Sequence, residues 1–359
     1  MRTSPALLVL TLALAACAPA PPVREDTPKP LFWPMPPEQP RFAWEASLIS
    51  PASVMMESET GRMKRLLTGS AIPTDPILEK PAGVAASQGL VYVTDTVKRR
   101  IVVFDIVRRK VFEFGWRPPG DLVKPLALAL DDKGSVYVVD ASRREVVVYD
   151  HLGLFQRTLG GAGQLEYPTG IAVSPDGKRI YIVDRASNDS LNHRVQVFDG
   201  EGKLLATLGR RGTGPGEFNV PVQAALAPDG TLYVLDAGNF RVQAFNPAGE
   251  FLRAFGSVGN SLGQFARPRG LAVDREGNIY VSDAAFANVQ VFDSQGQLLL
   301  PIGTHGIEGG PGKFVLPAGI AVDESGRVFI ADQYLRKVEV LRRISGDEGR
   351  QLSGKIAIP

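Results

Sequence analysis

One stretch of the chain is written twice: residues 193–209 read "HRVQVFDGEGKLLATLG" and residues 240–256 read "FRVQAFNPAGEFLRAFG". Each copy follows a segment with a proline, a short apolar run and an aspartate, such as "YPTGIAVSPDGKRIYIVD" at residues 167–184. Self-similarity at a near-constant period is the signature of a repeat architecture. The copies therefore decide the fold, and function must come from the positions at which they differ.

Six copies of this unit follow one another. The aspartate that closes the second apolar segment recurs at steps of 45, 44, 52, 47 and 49 residues. Four short strands share each unit, so that a strand and its turn take about eleven residues, which is typical of antiparallel β architecture. Four-stranded units repeated around an axis make a β-propeller. The sequence predicts an all-β protein, a six-bladed β-propeller of four-stranded antiparallel blades. The six aspartates are Asp95, Asp140, Asp184, Asp236, Asp283 and Asp332.

The sixth copy has only three strands, and an orphan strand, "RFAWEASLI", precedes the first copy at residues 41–49. We predict that this N-terminal strand completes the sixth blade, because closure removes an exposed sheet edge. The C-terminal "GKIAIP" at residues 354–359 is the alternative. The propeller then spans 41–359, with a closing strand at 41–49, a connector at 50–80 that contains a short helix near 58–69, repeats at 81–345 and a tail at 346–359.

The first seventeen residues, "MRTSPALLVLTLALAAC", combine a positive charge, an apolar run and small residues before a cysteine, as secretion signals do. Residues 14–17, "LAAC", resemble the lipobox of bacterial lipoproteins, which implies that Cys17 is the lipid attachment site. Cys17 is the only cysteine in the chain, which favours lipidation over an ordinary secretory peptide with a chance cysteine. Ala18 follows it, and the resemblance then implies the bacterial outer membrane, facing the periplasm or the cell exterior.

Residues 18–40 hold nine prolines and are predicted to form a Pro-rich tether between the lipid and the folded body. Phe32 and Trp33 lie in this segment. They either mark a partner-binding proline motif or, as we expect, pack onto the propeller.

The motif order of the repeats, proline, "GIAVD", "RVQVFD" and "FG", resembles the NHL repeat from about residue 81 to residue 344. Residues 32–48 also resemble the lead-in of bacterial NHL lipoproteins. The resemblance implies one of two functional classes. Some NHL proteins are binding modules, and others are enzymes, such as a zinc-dependent lyase.

A metal enzyme of this shape needs ligands on the strands that line the central channel. The three histidines, His151, His193 and His305, are not on those strands and are predicted to be solvent-facing or in loops. Related calcium lactonase propellers use inward-facing carboxylates, but here the channel-facing positions supply only Gln223 and Arg269 as strong polar groups. We therefore predict no catalytic residue, no metal and no cofactor. A metal-dependent lyase or lactonase-like enzyme is the alternative.

The loops after the second strands and the loops between blades are expected to share one face of the ring, where arginines gather with aromatic residues. Structure alone explains most of the basic residues that follow the aspartates. Arginine with aromatics is nevertheless typical of interaction surfaces. The predicted partner-binding face comprises Arg100, Arg144, Arg194, Phe240, Arg241, Arg269, Phe286, Tyr334 and Lys337.

A formal net charge of +2 gives no strong electrostatic excess, so nucleic acid is not the expected partner. The sequence favours a monomeric, non-catalytic envelope lipoprotein that uses a propeller face for protein or anionic glycan binding and scaffolding. A merely solvated face is the simpler alternative.

Overall fold

The computed structural model describes residues 30–55, 72–161, 163–187 and 189–356, without the side chains of the last two. It confirms the prediction of six four-stranded antiparallel blades. The first strands of successive blades contact one another in order, and that of the sixth contacts that of the first, so the ring is closed. The predicted helix near residues 58–69, the signal segment and Cys17 lie outside the described residues.

Two strands precede the repeats, β1 (Phe32–Trp33) and β2 (Phe42–Leu48). Each later blade runs outwards from its first strand at the channel to its fourth strand at the rim. Blade one is β3 (Pro81–Ser87), β4 (Leu90–Asp95), β5 (Arg100–Asp105) and β6 (Lys110–Phe114), and blade two is β7 (Pro125–Leu130), β8 (Val136–Asp140), β9 (Glu145–Tyr149) and β10 (Phe155–Gly160). Blade three is β11 (Pro168–Val173), β12 (Arg179–Asp184), β13 (Arg194–Asp199) and β14 (Leu204–Leu208).

The remaining blades follow the same plan. Blade four is β15 (Pro221–Leu226), β16 (Leu232–Asp236), β17 (Arg241–Phe245) and β18 (Phe251–Phe255), and blade five is β19 (Pro268–Val273), β20 (Ile279–Asp283), β21 (Asn288–Phe292) and β22 (Leu298–Ile302). A short parallel pair, β23 (Thr304–His305) and β24 (Lys313–Phe314), leads to β25 (Pro317–Val322), β26 (Val328–Asp332) and β27 (Lys337–Arg343) of blade six, and helix α1 (Gly346–Ile356) ends the described chain. Among the described residues, 3-10 turns lie at Pro51–Ser53 and Ala237–Asn239.

Strand β2 closes blade six, as predicted. It pairs antiparallel with β27, with Phe42 opposite Arg343 and Leu48 opposite Val338. Residues 354–356 of the alternative closing segment belong to α1 rather than to a strand. The N-terminal part of the body therefore supplies the fourth strand of the last blade.

The Pro-rich segment joins the propeller before residue 40, which shortens the predicted tether. Strand β1 pairs with the start of β2, because the N–H of Arg41 donates to the carbonyl of Trp33 at 2.7 Å. The Trp33 side chain is buried against the cluster between blades five and six, beside Gly312. The expectation that Phe32 and Trp33 pack onto the body is confirmed. Both residues form strand β1, which pairs with β2, and Trp33 is also a core residue.

The core lies between the blades. Alternate residues of each strand point to opposite faces of its sheet, and the described buried residues form six apolar clusters, one between each pair of neighbouring blades. An aromatic residue before the next blade plugs several of these gaps. The glycine that ends the fourth strand makes room for it: Gly209 has φ +76°, and a Cβ there would lie 2.3 Å from the ring of Phe218.

The ring has two faces. The "mouth face" is the one at which each first strand begins and each second strand ends, as at Pro168 and Asp184. The "turn face" carries the tight turns between first and second strands and between third and fourth strands. No helix in the described ranges has the length and apolar character needed to cross a bilayer.

Candidate functional site

Each second strand ends on the mouth face in a completely buried aspartate. The Asp95 carboxylate accepts hydrogen bonds from the backbone N–H groups of Glu79 at 2.7 Å, Val97 at 3.1 Å and Lys98 at 3.0 Å. These donors lie in the loop before blade one and in the loop after β4. The recurring aspartates therefore hold the mouth-face loops in place.

The basic residue that pairs with the aspartate makes its hydrogen bonds within the fold. In blade four, Arg241 Nε donates to Asp236 at 2.9 Å, and its guanidinium also donates to the carbonyls of Gly214 at 2.8 Å and Glu217 at 2.9 Å. Its side chain is only 16% exposed. Arg241 thus connects its own blade to the loop from blade three, and its charge is already neutralised.

Three other predicted partner-binding residues also make their hydrogen bonds within the fold. All occupy the first position of a third strand, and their side chains are at most 20% exposed. Their charges are already paired within the fold, and their contact with a partner stays a prediction. The bonds are those of Arg100 to Glu113 and the Ile77 carbonyl, of Arg194 to Asp184 and the Gln164 carbonyl, and of Lys337 to Glu339 and the Gly310 carbonyl.

In blade two Arg144 lies next to this position but does not occupy it. In blade two the residue paired with Asp140 is Glu145. Arg144 precedes it in a left-handed conformation, with φ +59°, and is exposed. Burial raises the pKa of the Glu145 carboxyl, against the lowering effect of Arg143. Blade two therefore lacks the arginine bridge of blades three and four.

The three aromatic residues of the predicted face differ in their exposure. Phe240 is half-buried and packs against the cluster between blades four and five. Phe286 is also half-buried. Only Tyr334, with 51% of its surface exposed, projects into solvent.

Several cationic side chains gather at the centre of the mouth face. There the channel opens into a cavity of about 300 Å³. Its lining includes four cationic side chains, and no carboxylate is among the described residues that line it. The cations come from the loops before blades one and two, from the loop after β12 and from β19. They are Lys80, Lys124, Arg185 and Arg269.

Tyr167 brings two of these cations together. Lys124 Nζ donates to the Tyr167 hydroxyl at 2.9 Å and lies 5.4 Å from the ring centre. The guanidinium carbon of Arg185 lies 5.1 Å from the same ring. Cation–π contacts of this kind hold a charge near a surface without neutralising it. Arg185 Nε is buried and has no hydrogen-bond partner within the described residues.

The two polar channel residues predicted from the sequence both line this cavity, but they differ in role. Gln223 Oε1 accepts from the N–H of Ile171 at 3.0 Å and so links blades three and four. Arg269 is exposed and makes no ion pair or hydrogen bond with the described part of the chain. Partial burial of its guanidinium, with the like charges of Arg267 and Arg185, lowers the pKa of Arg269.

Sequence reasoning missed Lys80, Lys124, Arg185 and Tyr167. Lys80, Lys124 and Tyr167 immediately precede the proline that opens a blade, and Arg185 immediately follows the aspartate that ends β12. Comparing these two positions across the six copies is the signal that identifies them, because both positions lie on the mouth face next to the channel.

Towards the turn face the channel has a different character. Its wall is almost entirely aliphatic, and Gln223 is the one side chain there with strong hydrogen-bonding groups among the described lining residues. The wall includes Val84, Leu128, Ile171, Ala224, Leu271 and Ile320. The polar chemistry of the channel is therefore confined to its mouth.

The histidines lie away from the channel. His151 and His305 are exposed, whereas His193 is buried in the loop before β13. Its Nδ1 accepts from the N–H of Val220 at 3.0 Å, and its Nε2 lies 3.1 Å from the carbonyl of Ser187. Among the described residues, no three His, Cys, Asp or Glu side chains are grouped as metal ligands.

The closed ring of four-stranded blades defines a β-propeller. The NHL repeat profile matches residues 165–198 and 265–292, in blades three and five of this propeller. A search of curated protein sequences finds no match.

Solved propellers of several functions resemble this ring. One is a catalytically inactive virginiamycin B lyase from Staphylococcus aureus with quinupristin, at 16% identity and TM-score 0.54, covering 74% of this chain and 95% of that one. A gluconolactonase from Xanthomonas campestris has 22% identity and TM-score 0.55, with 74% and 87% covered. An auxiliary nutrient binding protein from Bacteroides thetaiotaomicron has 12% identity and TM-score 0.56, with 75% and 70% covered. At these identities the likeness shows the fold alone. The similar structures include enzymes as well as a binding protein.

Proposed function

We propose that this protein is a non-catalytic binding propeller that presents its mouth face to an anionic partner in the cell envelope, either a protein or a glycan. The observation that supports this most is the cationic channel mouth, where Lys80, Lys124, Arg185 and Arg269 face a cavity without a neutralising carboxylate. Charge complementarity of this kind guides a partner to its site and sets specificity.

The channel supports binding rather than catalysis. General acid–base catalysis needs a titratable group within hydrogen-bond reach of the reacting atom, and the aliphatic wall below the mouth supplies none. The charged groups at the mouth are ammonium and guanidinium groups, which donate charge-assisted hydrogen bonds to anions. They can therefore hold and orient an anion.

The partner surface that we propose differs from the one predicted by sequence. Arg100, Arg194, Arg241 and Lys337 maintain the loops of the mouth face from within, while the channel-mouth cations and exposed residues such as Tyr334 provide contact groups. The recognition surface is thus the centre of the face, surrounded by loops that these internal bonds keep rigid.

The proposal includes the lipid anchor. Lipidation of Cys17 holds the propeller at the outer membrane, facing the periplasm or the cell exterior, as a monomeric scaffold. Labelling cells with an alkyne fatty acid tests this directly. Wild-type protein is expected to take up label, and Cys17→Ala is expected to lose both the label and its membrane fraction.

Charge reversal at the mouth tests the binding function. The triple variant Lys124→Glu, Arg185→Glu and Arg269→Glu is expected to lose capture of partners in cells treated with a crosslinker and analysed by mass spectrometry. The matched control is Lys133→Glu, Lys203→Glu and Arg275→Glu, three exposed residues in turns of the turn face. Equal capture by the two triple variants would contradict the proposal.

The lyase-like or lactonase-like alternative has its own test. Metal analysis of the purified, dialysed protein is expected to find far less than one zinc or calcium ion per chain. A stoichiometric ion, whose removal lowers the melting temperature, would favour the enzyme instead.

A further inference from the structure

We infer that the channel mouth is a binding site for one compact oxyanion carrying two or more negative charges, such as a tricarboxylate or a diphosphate. This rests on the proposed function, since it uses the same face, and it names the chemical group that the face recognises. The argument depends on the placement of the four cations, on their unused donors and on the size of the cavity.

The cations surround the channel axis. Lys80 precedes β3, Lys124 precedes β7, Arg185 follows β12 and Arg269 lies in β19, so that blades one, two, three and five each contribute one. A groove that binds a linear polyanion would align its cations in a row. An anion on the axis of this ring is instead approached from several sides, which favours a compact ligand.

Hydrogen-bond donors at the mouth remain available after the bonds within the described fold are made. Lys124 Nζ makes its one described bond to the Tyr167 hydroxyl. Arg185 Nε is buried without a partner among the described residues, and Arg269 makes no described bond at all. Buried donors without partners are rare in native structures, and a bound anion would provide the missing acceptor. Two guanidinium groups and two ammonium groups offer charge-assisted bonds that suit carboxylate and phosphate oxygens.

The charge balance indicates the valence of the ligand. Four cations line the cavity and no described carboxylate does, so a monovalent anion leaves most of the positive charge uncompensated. The like charges of Arg267 and Arg185 repel that of Arg269, and a bound anion relieves this repulsion. A cavity of about 300 Å³ holds a citrate-sized ion rather than a folded segment.

Isothermal titration of the purified full chain at low salt tests the inference, with citrate and pyrophosphate as probes and acetate as the monovalent control. We expect one citrate or pyrophosphate per chain, weaker binding as salt rises, and at least tenfold weaker binding of acetate. Arg269→Gln is expected to raise the citrate Kd by about tenfold, and Arg185→Gln with Arg269→Gln by about a hundredfold, because each charge-assisted bond contributes roughly a factor of ten.

The matched control is Arg275→Gln, which removes an exposed arginine from the same blade at the opposite end of β19. It is expected to leave the citrate Kd unchanged. Arg269→Gln is also expected to melt no lower than wild type without ligand, since Arg269 makes no bond that the fold needs. Absence of citrate and pyrophosphate binding in the millimolar range, or equal binding by the double variant, would overturn the inference.

This result is separable from the proposed function. If the mouth triple variant loses partner capture while neither probe binds, the binding face is supported and the oxyanion site is refuted. If citrate binds and competes with capture, the oxyanion belongs to the partner. If citrate binds without affecting capture, the ligand is a free small anion, and the inference holds while the partner lies elsewhere.

Discussion

The indole Nε1 of Trp44 donates a 2.9 Å hydrogen bond to the carboxylate of Glu339, which joins the closing strand β2 to β27 through side chains as well as backbone. The hydroxyl of Ser47 donates to the same oxygen at 2.7 Å. Glu339 is completely buried, and it also pairs with the buried ammonium of Lys337. Ring closure is therefore built around one buried ion pair.

Glu339→Ala is expected to lower the free energy of unfolding by about 3 to 5 kcal/mol, because it leaves the Lys337 ammonium buried without its counter-ion. Urea denaturation followed by circular dichroism measures this. The control is Glu45→Gln on the same closing strand, where a partly exposed pair with Arg327 is lost and at most about 1 kcal/mol is expected. Similar losses in both variants would show that the buried network has no special part in closure.

Deleting residues 41–49 tests closure itself. The deletion removes β2, exposes the edge of β27 and uncovers part of two apolar clusters, which include Phe42 and Leu48. A sharp fall in melting temperature is expected by differential scanning calorimetry. Deleting residues 354–359 instead is expected to change the curve little, because residues 354–356 end a helix and pair with no strand. An unchanged melting temperature after the first deletion would refute the closure.

The fold could be predicted from the sequence because each copy reports the same four strands, and because the sixth copy is short by one strand while an orphan strand precedes the first. Register could not. The run "RREVVVYD" at residues 143–150 contains two arginines before a glutamate, and only the backbone pairing shows that Glu145, not Arg144, lies opposite Asp140.

The site was predicted less well than the fold, for a physical reason. Sequence identifies which residues are basic, but not which carbonyl groups come within reach of them. Arg241 donates hydrogen bonds to loop carbonyls of residues more than twenty positions earlier, while Arg269 meets none. The mouth cations Lys124 and Arg185 converge on Tyr167 only when the ring brings blades two and three together.

This difference between two arginines leads to a prediction. Arg241→Gln is expected to lower the free energy of unfolding by about 3 kcal/mol or more, because Asp236 stays buried without its cation and two carbonyls lose a donor. Arg269→Gln is expected to stay within about 0.5 kcal/mol of wild type. Urea denaturation at neutral pH separates the two. A comparable loss in Arg269→Gln would mean that the mouth cations are structural.

The buried tyrosines predict a loss of stability at alkaline pH. Burial is the main cause that raises the pKa of the tyrosines packed between blades, and Asp150 and Asp105 add to it at Tyr92, where the pKa reaches about 12. An unfolded tyrosine ionises near pH 10. Because the folded state holds the proton more tightly, this contribution to stability is complete below about pH 10 and is lost as the pH rises towards 12. The group with raised pKa values is Tyr92, Tyr137, Tyr149, Tyr233 and Tyr280.

From about pH 10 to about pH 12, ionisation of Tyr92 is expected to lower the free energy of unfolding by about 1.4 kcal/mol per pH unit. Absorbance at 295 nm and circular dichroism, recorded together from pH 9 to 12.5, measure ionisation and unfolding in one titration. Most of the absorbance change is expected to coincide with the loss of the circular dichroism signal. Tyr92→Phe removes one ionising group, as well as the 3.1 Å bond from its hydroxyl to the carbonyl of His151, so its stability should fall less steeply with pH from a slightly lower starting value. Complete tyrosine ionisation near pH 10 in a chain that still gives the native spectrum would show that these hydroxyls are accessible to solvent, and that the packing between blades does not hold their protons.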